Sequence, residues 1–480
     1  MAGISQILET ARRAMLAHQY GLAVTGHNIA NAGTTGYSRQ RVELSATAPL
    51  ATQSGLLGTG VMVSNVSRLH DQFVDQQIRS SNTSLGLANK DYQILSQIEA
   101  MYNEPSDSSL SSVMTGFFES WQNLSTNPSD PNARNAVMMR GKLVADTFRQ
   151  LHSDMSAVRT SLRDDLTSKV DQINALTAEI GTLNSQITNA LASGQTPSDL
   201  QDLRDTKLDA LAALANIQVH EDSRGCMTVT LGGSVIADNG YAETLKVAQG
   251  AAATVSGSSF DQLRIVTGQG TDVSITGGEA GGVLKSYNTA IPDALGRLDR
   301  LAEGLINEVN RLHATGYGLR NPAVTGINFF MGTDAATIGL DLTDTSGGAA
   351  AGSAPSADNI AASSLPSAAG NNDIALLIAG SFNRKPLTGA GGDTLLDGLS
   401  LSQYYSVSVT RVASAVNAAG TQAESQELVS VQLAAQRDSV SGVSVDEELT
   451  NMIKFQRAFD AAAKMVSTVD EMFQTLLNMV

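Results

Sequence analysis

MIKFQRAFDAAAKMVSTVDEMFQTLLNMV, residues 452–480, places apolar side chains at alternating steps of three and four. Met452, Phe455, Phe459, Ala462, Val466, Val469, Phe473, Leu476 and Val480 fall on one helical stripe, the spacing by which one helix seats against another. The first residues of the chain carry a weaker copy of it: Ile4, Leu8, Ala11, Met15, His18, Leu22, Thr25 and Ile29. Two striped helices at opposite ends predict one module of paired termini, with everything between looped out of it. Residues flanking the C-terminal seam, Ile453, Met465, Met472, Leu477 and Met479, are apolar as well. One partner helix cannot cover so wide a face. The expectation is that neighbouring copies cover the remainder, and that the terminal helices order on assembly.

Working inward from the ends, residues 3–31 read as a helix weakened by Gly21 and Gly26, which stops at Asn31-Ala32-Gly33. Residues 37–68 turn strand-like through Val42, Leu44, Val61, Val63 and Val66. A helix is expected over 70–101, then an apolar patch at Phe117, Phe118 and Trp121. Asp130 before Pro131 is a cap followed by a first-turn proline. The stripe that follows, from Val137 through Gly141, Phe148 and Met155 to Ile187, predicts a helix over 131–192, about 93 Å long at 1.5 Å per residue.

Ser198 with Gln201 suggests a capping box for a helix running to Leu214. The period then drops to two: Met227, Val229 and Leu231 alternate, and Asn239-Gly240 is a hairpin signal. Helical spacing returns from Leu295 to Leu312. Residues 343–370 are rich in Gly, Ala and Ser and read as loop or linker. Helices are expected at 373–382, 401–417 and 421–440. A last helix opens with a Ser444/Glu447 box and acidic residues in its first turn.

The fold class expected is mainly α: long coiled-coil-like helices from both termini and a helical-bundle domain, with a small inserted β domain. The expected division is 1–68 with 441–480 as a terminal assembly domain, and 69–216, 283–318 and 400–440 as a helical rod. Residues 217–282 would form an outer β domain, and 319–399 a linker or small insert.

A formal charge of −16 on 480 residues, with no dense basic run, argues against a nucleic-acid or anionic-membrane partner. No window approaches the ~20 apolar residues of a membrane-spanning helix. Cys226 is the only cysteine, so no intrachain disulfide is available. Glu9, Arg12, Arg13, His18 and Gln19 interrupt the apolar core a secretory signal would need, so export without a cleavable signal is expected. The six histidines are scattered, and no metal-binding, nucleophile-elbow or phosphate-loop motif occurs. Cys226 with His220 is the nearest approach to chemistry, and a buried structural thiol is the better reading. Asp199, Asp202, Asp205 and Asp209 recur on one helix and read as a solvated face. No enzyme, cofactor or metal is expected.

Asn28-Ile29-Ala30-Asn31-Ala32-Gly33-Thr34-Thr35-Gly36-Tyr37-Ser38-Arg39-Gln40 resembles the N-terminal signature of bacterial flagellar axial proteins of rod, hook and hook-associated types. Its Tyr-Ser-Arg-Gln ending is similar to the hook-associated protein 1 family in particular. Gly58-Thr59-Gly60-Val61, Asp199 to Asp205, Val309 to His313 and Ser441 to Glu448 agree in order along the chain, and 320–400 matches loosely. The resemblance implies a structural subunit of the junction between hook and filament. It also implies self-association in a ring or tube, contact with hook protein and hook-associated protein 3, and a cytosolic export chaperone on the C-terminal helix. Other axial proteins, hook-associated protein 3 or hook protein, and a coiled-coil surface adhesin are the alternatives. The assembly residues expected on these grounds are Asn28, Ala30, Asn31, Gly36, Tyr37, Ser38 and Arg39, together with Met452, Phe455, Phe459, Val466, Val469, Phe473 and Leu476. Tyr37 and Arg39 are expected to face adjacent subunits.

Overall fold

The computed structural model describes residues 2–52, 55–321, 323–343, 355–385 and 395–478. Helix α1 (Ala2–Ala30) leads through the signature loop into a long antiparallel ribbon, β1 (Gln40–Ala46) against β4 (Val61–Arg68). Its tip is made by β2 (Leu50–Thr52) and β3 (Gly55–Leu57). Helix α2 (Gln72–Tyr102) starts at Asp71, whose carboxylate accepts from the backbone of Phe73 and Val74. Helix α3 (Leu110–Thr126) carries the aromatic patch. Helix α4 (Pro131–Ala192) runs unbroken for 62 residues from its Asp130 cap, as its stripe requires.

Helix α5 (Ser198–Leu214) follows without the expected capping box. Ser198 is already the first helical residue, and its buried hydroxyl has no partner. The β segment holds β5 (Ile217–Glu221), β6 (Met227–Leu231) and β7 (Ser234–Ala237) in one sheet. A hairpin of β9 (Ala253–Val255) and β10 (Ser258–Phe260) follows, and β8 (Leu245–Gln249), β11 (Leu263–Thr267) and β12 (Asp272–Val273) form a second three-stranded sheet.

Helical structure resumes at Gly278, earlier than the spacing from Leu295 suggests: α6 (Gly278–Lys285) passes through one π-turn at Ser286–Ala290 into α7 (Ile291–His313). Pro292 explains the turn. A helical proline lacks an N–H and crowds the carbonyl four residues back, so the ladder widens there. That carbonyl, of Asn288, accepts from Gln262 Nε2 at 3.3 Å instead. Strands β13 (Phe330–Met331) and β14 (Gly339–Leu340) and helix α8 (Asp373–Ala379) precede α9 (Leu401–Ser441) and α10 (Val445–Asn478). Where two helices were expected over 401–440 there is one. Gly420 does not break it, because the glycine seats against the Tyr92 ring of α2, 3.2 Å from where its Cβ would stand.

The core is continuous. Phe117 and Trp121 meet Phe329, Phe117 also meets Phe330, and the same cluster runs on through Phe148, Val158, Val170 and Ile180 to Met227, Val229 and Ile265 of the sheets. The sheets thus share the core of the helices and have no separate one. Part of the 319–399 stretch, expected as a linker or small insert, plugs this core: a Cβ on Gly141 would stand 2.5 Å from the Phe329 ring. Of the low-complexity run at 343–370, residues 344–354 lie outside the described part. Arg134, buried at the start of α4, donates to the carbonyls of Pro128 (2.8 Å) and Ile360 (2.7 Å) and ties this insert down.

His313 sits in the same core with no exposure. Its Nδ1 lies 2.7 Å from the Ile327 carbonyl, which can only accept, so Nδ1 holds the proton and Nε2 accepts from the Ala361 N–H at 2.9 Å. Burial depresses its pKa to about 4, below the 6.5 of a free imidazole. Between those values the unfolded chain binds the proton and the folded chain does not. The stabilisation from this site is therefore complete above about pH 6.5 and is lost as pH falls towards 4, a difference on the order of 3 kcal/mol. Urea midpoints measured from pH 7 to pH 4 are expected to fall steeply in the parent. They should fall with a shallower slope in His313→Gln, whose amide can neither protonate nor be penalised for it. Equal slopes would refute the assignment.

Candidate assembly interface

Helices α1 and α10 lie against each other along much of their length. Their contact is sealed by small side chains: Ala11, Ala17, Ala462 and Val469 are buried. Phe455 lies on Gly21, where a Cβ would stand 2.7 Å from its ring, and 6.2 Å from the His18 ring centroid. The seam residues Met452, Phe455, Phe459, Val466 and Phe473 are all partly covered. The side chain of Leu476, and Met479 and Val480, lie outside the described part. Within one chain the seam is thus partly taken by α1. Large apolar side chains beside the seam remain uncovered: Ile7, Leu16 and Tyr20 on α1 are 44–56% exposed, and Leu449, Ile453, Met465 and Met472 on α10 are 43–51% exposed.

A polar clasp closes the upper end of this pair. Asn28, 1% exposed, uses its whole amide. Nδ2 donates to the Gln40 carbonyl (2.9 Å) and to Glu448 (3.1 Å), while Oδ1 accepts from the Tyr37 hydroxyl (2.8 Å) and the Gln40 N–H (3.0 Å). Arg39 forks onto both acids of the α10 first turn, Nε to Glu448 at 2.8 Å and Nη1 to Glu447 at 2.8 Å. Its backbone N–H donates to the Ser441 carbonyl at 2.9 Å. Glu447 thus turns to Arg39, and its expected pairing with Ser444 in a capping box gives way to a charged partner. Burial, with the carboxylates of Asp199, Asp202 and Glu448 nearby, pushes the Tyr37 phenol well up, so it stays a neutral donor.

Tyr37 and Arg39, expected to face adjacent subunits, are engaged by partners within their own chain. Both bind the two ends of their own chain together, because Asn28 and the acidic first turn of α10 lie within reach. Asn31 caps locally onto the His27 carbonyl, and Ala30 is exposed.

The clasp rests on α5, and here the sequence reading missed a site. Asp199 accepts from Gln40 Nε2 (2.7 Å), and Asp202 from the Ser38 N–H (3.0 Å) and Arg68 (2.7 Å). Asp205 accepts from Arg68 (2.8 Å) and Arg79 (3.1 Å), and Asp209 from Arg79 (3.1 Å) and Arg437 (3.3 Å). Except at Asp199, this is not a solvated face but the ionic seat of the terminal module. Spacing of three and four put the carboxylates in a row; their partners, distant in sequence, carried no local signal. Gly36 allows the close approach: at φ +80° it lies against Thr206, 2.4 Å from where a Cβ would stand. Burial raises Asp209 to about 6 against the pull of Arg79 and Arg437. With charges 8–20% exposed on both sides, removing one partner strands the other, a loss of about 3–5 kcal/mol in buried pairs.

His70, Asp75 and Asp205 come close enough to hold a metal ion. Arg68 and Arg79 already occupy both oxygens of Asp205, so the group is an ion-pair cluster. Cys226 is a structural thiol: Sγ donates to Asp238 at 3.2 Å, and burial together with that carboxylate pushes it up to about 12.

Among known proteins, flagellar hook-associated protein 1 of Bacillus subtilis (strain 168) is 32% identical over 517 aligned positions, covering 98% of this chain and 97% of the relative. The chain belongs to the flagellar hook-associated protein 1 family. The counterpart from Escherichia coli (strain K12) is 25% identical over 99% of this chain and 100% of the relative. The family model "Flagellar hook-associated protein FlgK helical domain" matches residues 95–330. "Flagella basal body rod protein" matches 8–37, which is most of α1 and the start of the clasp. "Flagellar basal body rod FlgEFG protein C-terminal" matches 434–479, which is the end of α9 and all of α10. In fold, the chain is similar to the flagellar hook junction protein FlgK from Burkholderia pseudomallei, with a TM-score of 0.60 at 17% identity over 76% of this chain and 100% of that one. The resemblance read from Asn28 to Gln40 is borne out, and the hook-associated protein 1 family is one of structural flagellar proteins.

Proposed function

We propose that this chain is built into the flagellum through the uncovered apolar surface of its paired ends. As a member of its family it is a structural protein of the hook–filament junction. In the proposed arrangement, α1 and α10 of neighbouring copies pack into a ring or tube, and the clasp on α5 fixes how the outer parts of each subunit stand relative to that core. The observation that carries the reading is the exposure of large apolar residues on both members of an already paired set of helices. Monomeric proteins rarely leave such a surface open unless something covers it. Burying a half-exposed Leu- or Ile-sized side chain contributes about 1 kcal/mol, so the surface is weak per residue and strong only when repeated around a closed assembly.

Hook protein on one side, hook-associated protein 3 on the other and an export chaperone on α10 complete the proposed set of partners. The role is structural, without a catalytic step. Export unfolded through the flagellar type III apparatus fits a chain whose single cysteine allows no intrachain crosslink. Electron microscopy of cells lacking this chain is expected to show hooks without filaments, with filament protein released to the medium. Full-length filaments on such cells would end the proposal.

A further inference from the structure

A recess of about 310 Å³ opens between α4, the β9–β10 hairpin and the π-turn. Steps of four, three and four along α4 put His152, Ser156, Arg159 and Arg163 on the wall of the recess. The opposite side is aromatic. The Arg159 guanidinium carbon stands 4.3 Å from the Tyr287 ring centroid and 5.4 Å from that of Phe260, and Nη2 donates to the Asp261 carbonyl. These contacts hold the guanidinium in place without neutralising it.

Among the described residues no carboxylate lies within 4 Å of Arg159, and Arg163 has only its neighbour Asp164, at 3.9 Å with both side chains more than half exposed. His152 approaches Asp299 at 3.9 Å, but that acid is already engaged by Ser258 and the Ala335 N–H. Elsewhere in this acidic chain Arg39, Arg68 and Arg79 each meet carboxylates directly. Here two arginines one helical turn apart repel each other, and no fixed acid relieves them.

We propose that this recess binds a small organic acid of monosaccharide size. Its carboxylate bridges Arg159 and Arg163, the planar forks best suited to that group. Its hydroxyls meet Ser156 and Thr160, and its carbon frame lies against Phe260. The volume is at the lower end of small-molecule pockets, about 300–1,000 Å³, which limits the ligand to a single ring. The proposal does not rest on the assembly role and would hold for the monomer.

Calorimetric titration of the full chain at low ionic strength tests it, with glucuronate, glucose and inorganic phosphate as probes. Saturable binding of glucuronate and none of glucose is expected, with phosphate weaker by roughly tenfold or more because it gains the charge but not the frame. Arg159→Gln with Arg163→Gln should lose glucuronate by at least about tenfold at an unchanged melting temperature. Arg163→Gln alone, on the exposed rim, gives the same direction if the double variant folds poorly. Absence of saturable glucuronate binding, equal binding in the variants, or phosphate binding as tightly as glucuronate would each overturn the assignment.

Discussion

Leu449→Asp combined with Ile453→Asp is expected to leave a folded monomer that no longer enters the flagellum. The two side chains lie one turn apart on α10 and are 45% and 51% exposed, on the surface that the α1 contact leaves open. In the monomer the new carboxylates point to water, so the melting temperature should stay within about 2 °C of the parent. In the assembly each would be buried without a partner, which costs several kcal/mol per site. Even 3 kcal/mol per subunit corresponds to more than about a hundredfold loss of incorporation, and the loss recurs at every position of a closed ring. Motility of a complemented null strain and the presence of the chain in purified hook–filament preparations would be scored together. Met139→Asp, on an equally apolar and 70% exposed site of α4, is the control and should swim. Normal swimming by the double variant would sink the interface.

The second large effect belongs to the clasp. Asn28→Leu keeps the size of the side chain and removes every hydrogen bond it makes. The Gln40 N–H, the Gln40 carbonyl and the Tyr37 hydroxyl are left in a buried site without that partner, and Glu448 loses a donor. Each stranded group costs about 1–3 kcal/mol, so local opening of the paired ends becomes easier by roughly 3–5 kcal/mol. Hydrogen exchange over 36–46 and 445–460 should then accelerate by about a hundredfold or more, while amides of α4 and α7 keep their protection. Exchange within tenfold of the parent would mean that apolar packing alone holds the ends together, and the clasp would lose its assigned role.

Sequence patterning reached the elements whose signal is local. The stripe from Val137 to Ile187 and the Asp130–Pro131 start define a helix that the structure reproduces to the residue. The paired ends followed from two seams of matching period. The signature singled out Asn28, Tyr37, Ser38 and Arg39, but not what they touch within the chain. Their partners lie 9 to more than 400 positions away, and charge pairing at that range leaves no periodicity to read. The same reason hid the seat on α5, whose carboxylates look solvated until Arg68 of β4, Arg79 of α2 and Arg437 of α9 are brought up to them. Phe329 and Phe330 were missed because they lie in a composition-biased stretch, where two core aromatics stand among small residues. Pro292 delayed the reading of α7, because the π-turn that accommodates it has no signature of its own.

The bond from Asn28 to Glu448 joins residues 420 positions apart. The mate of α1 is α10, at the far end of the chain, so the first helix is paired only once nearly all the polypeptide is present. Each doubling of such a loop adds only about 0.6 kcal/mol to the entropy of closure, so the delay is one of sequence, not of energy. Until then the leading end stays single. The geometry acts as a test for whole chains, since a strand cut short before α10 never forms the two-helix face that could be passed on to a neighbour.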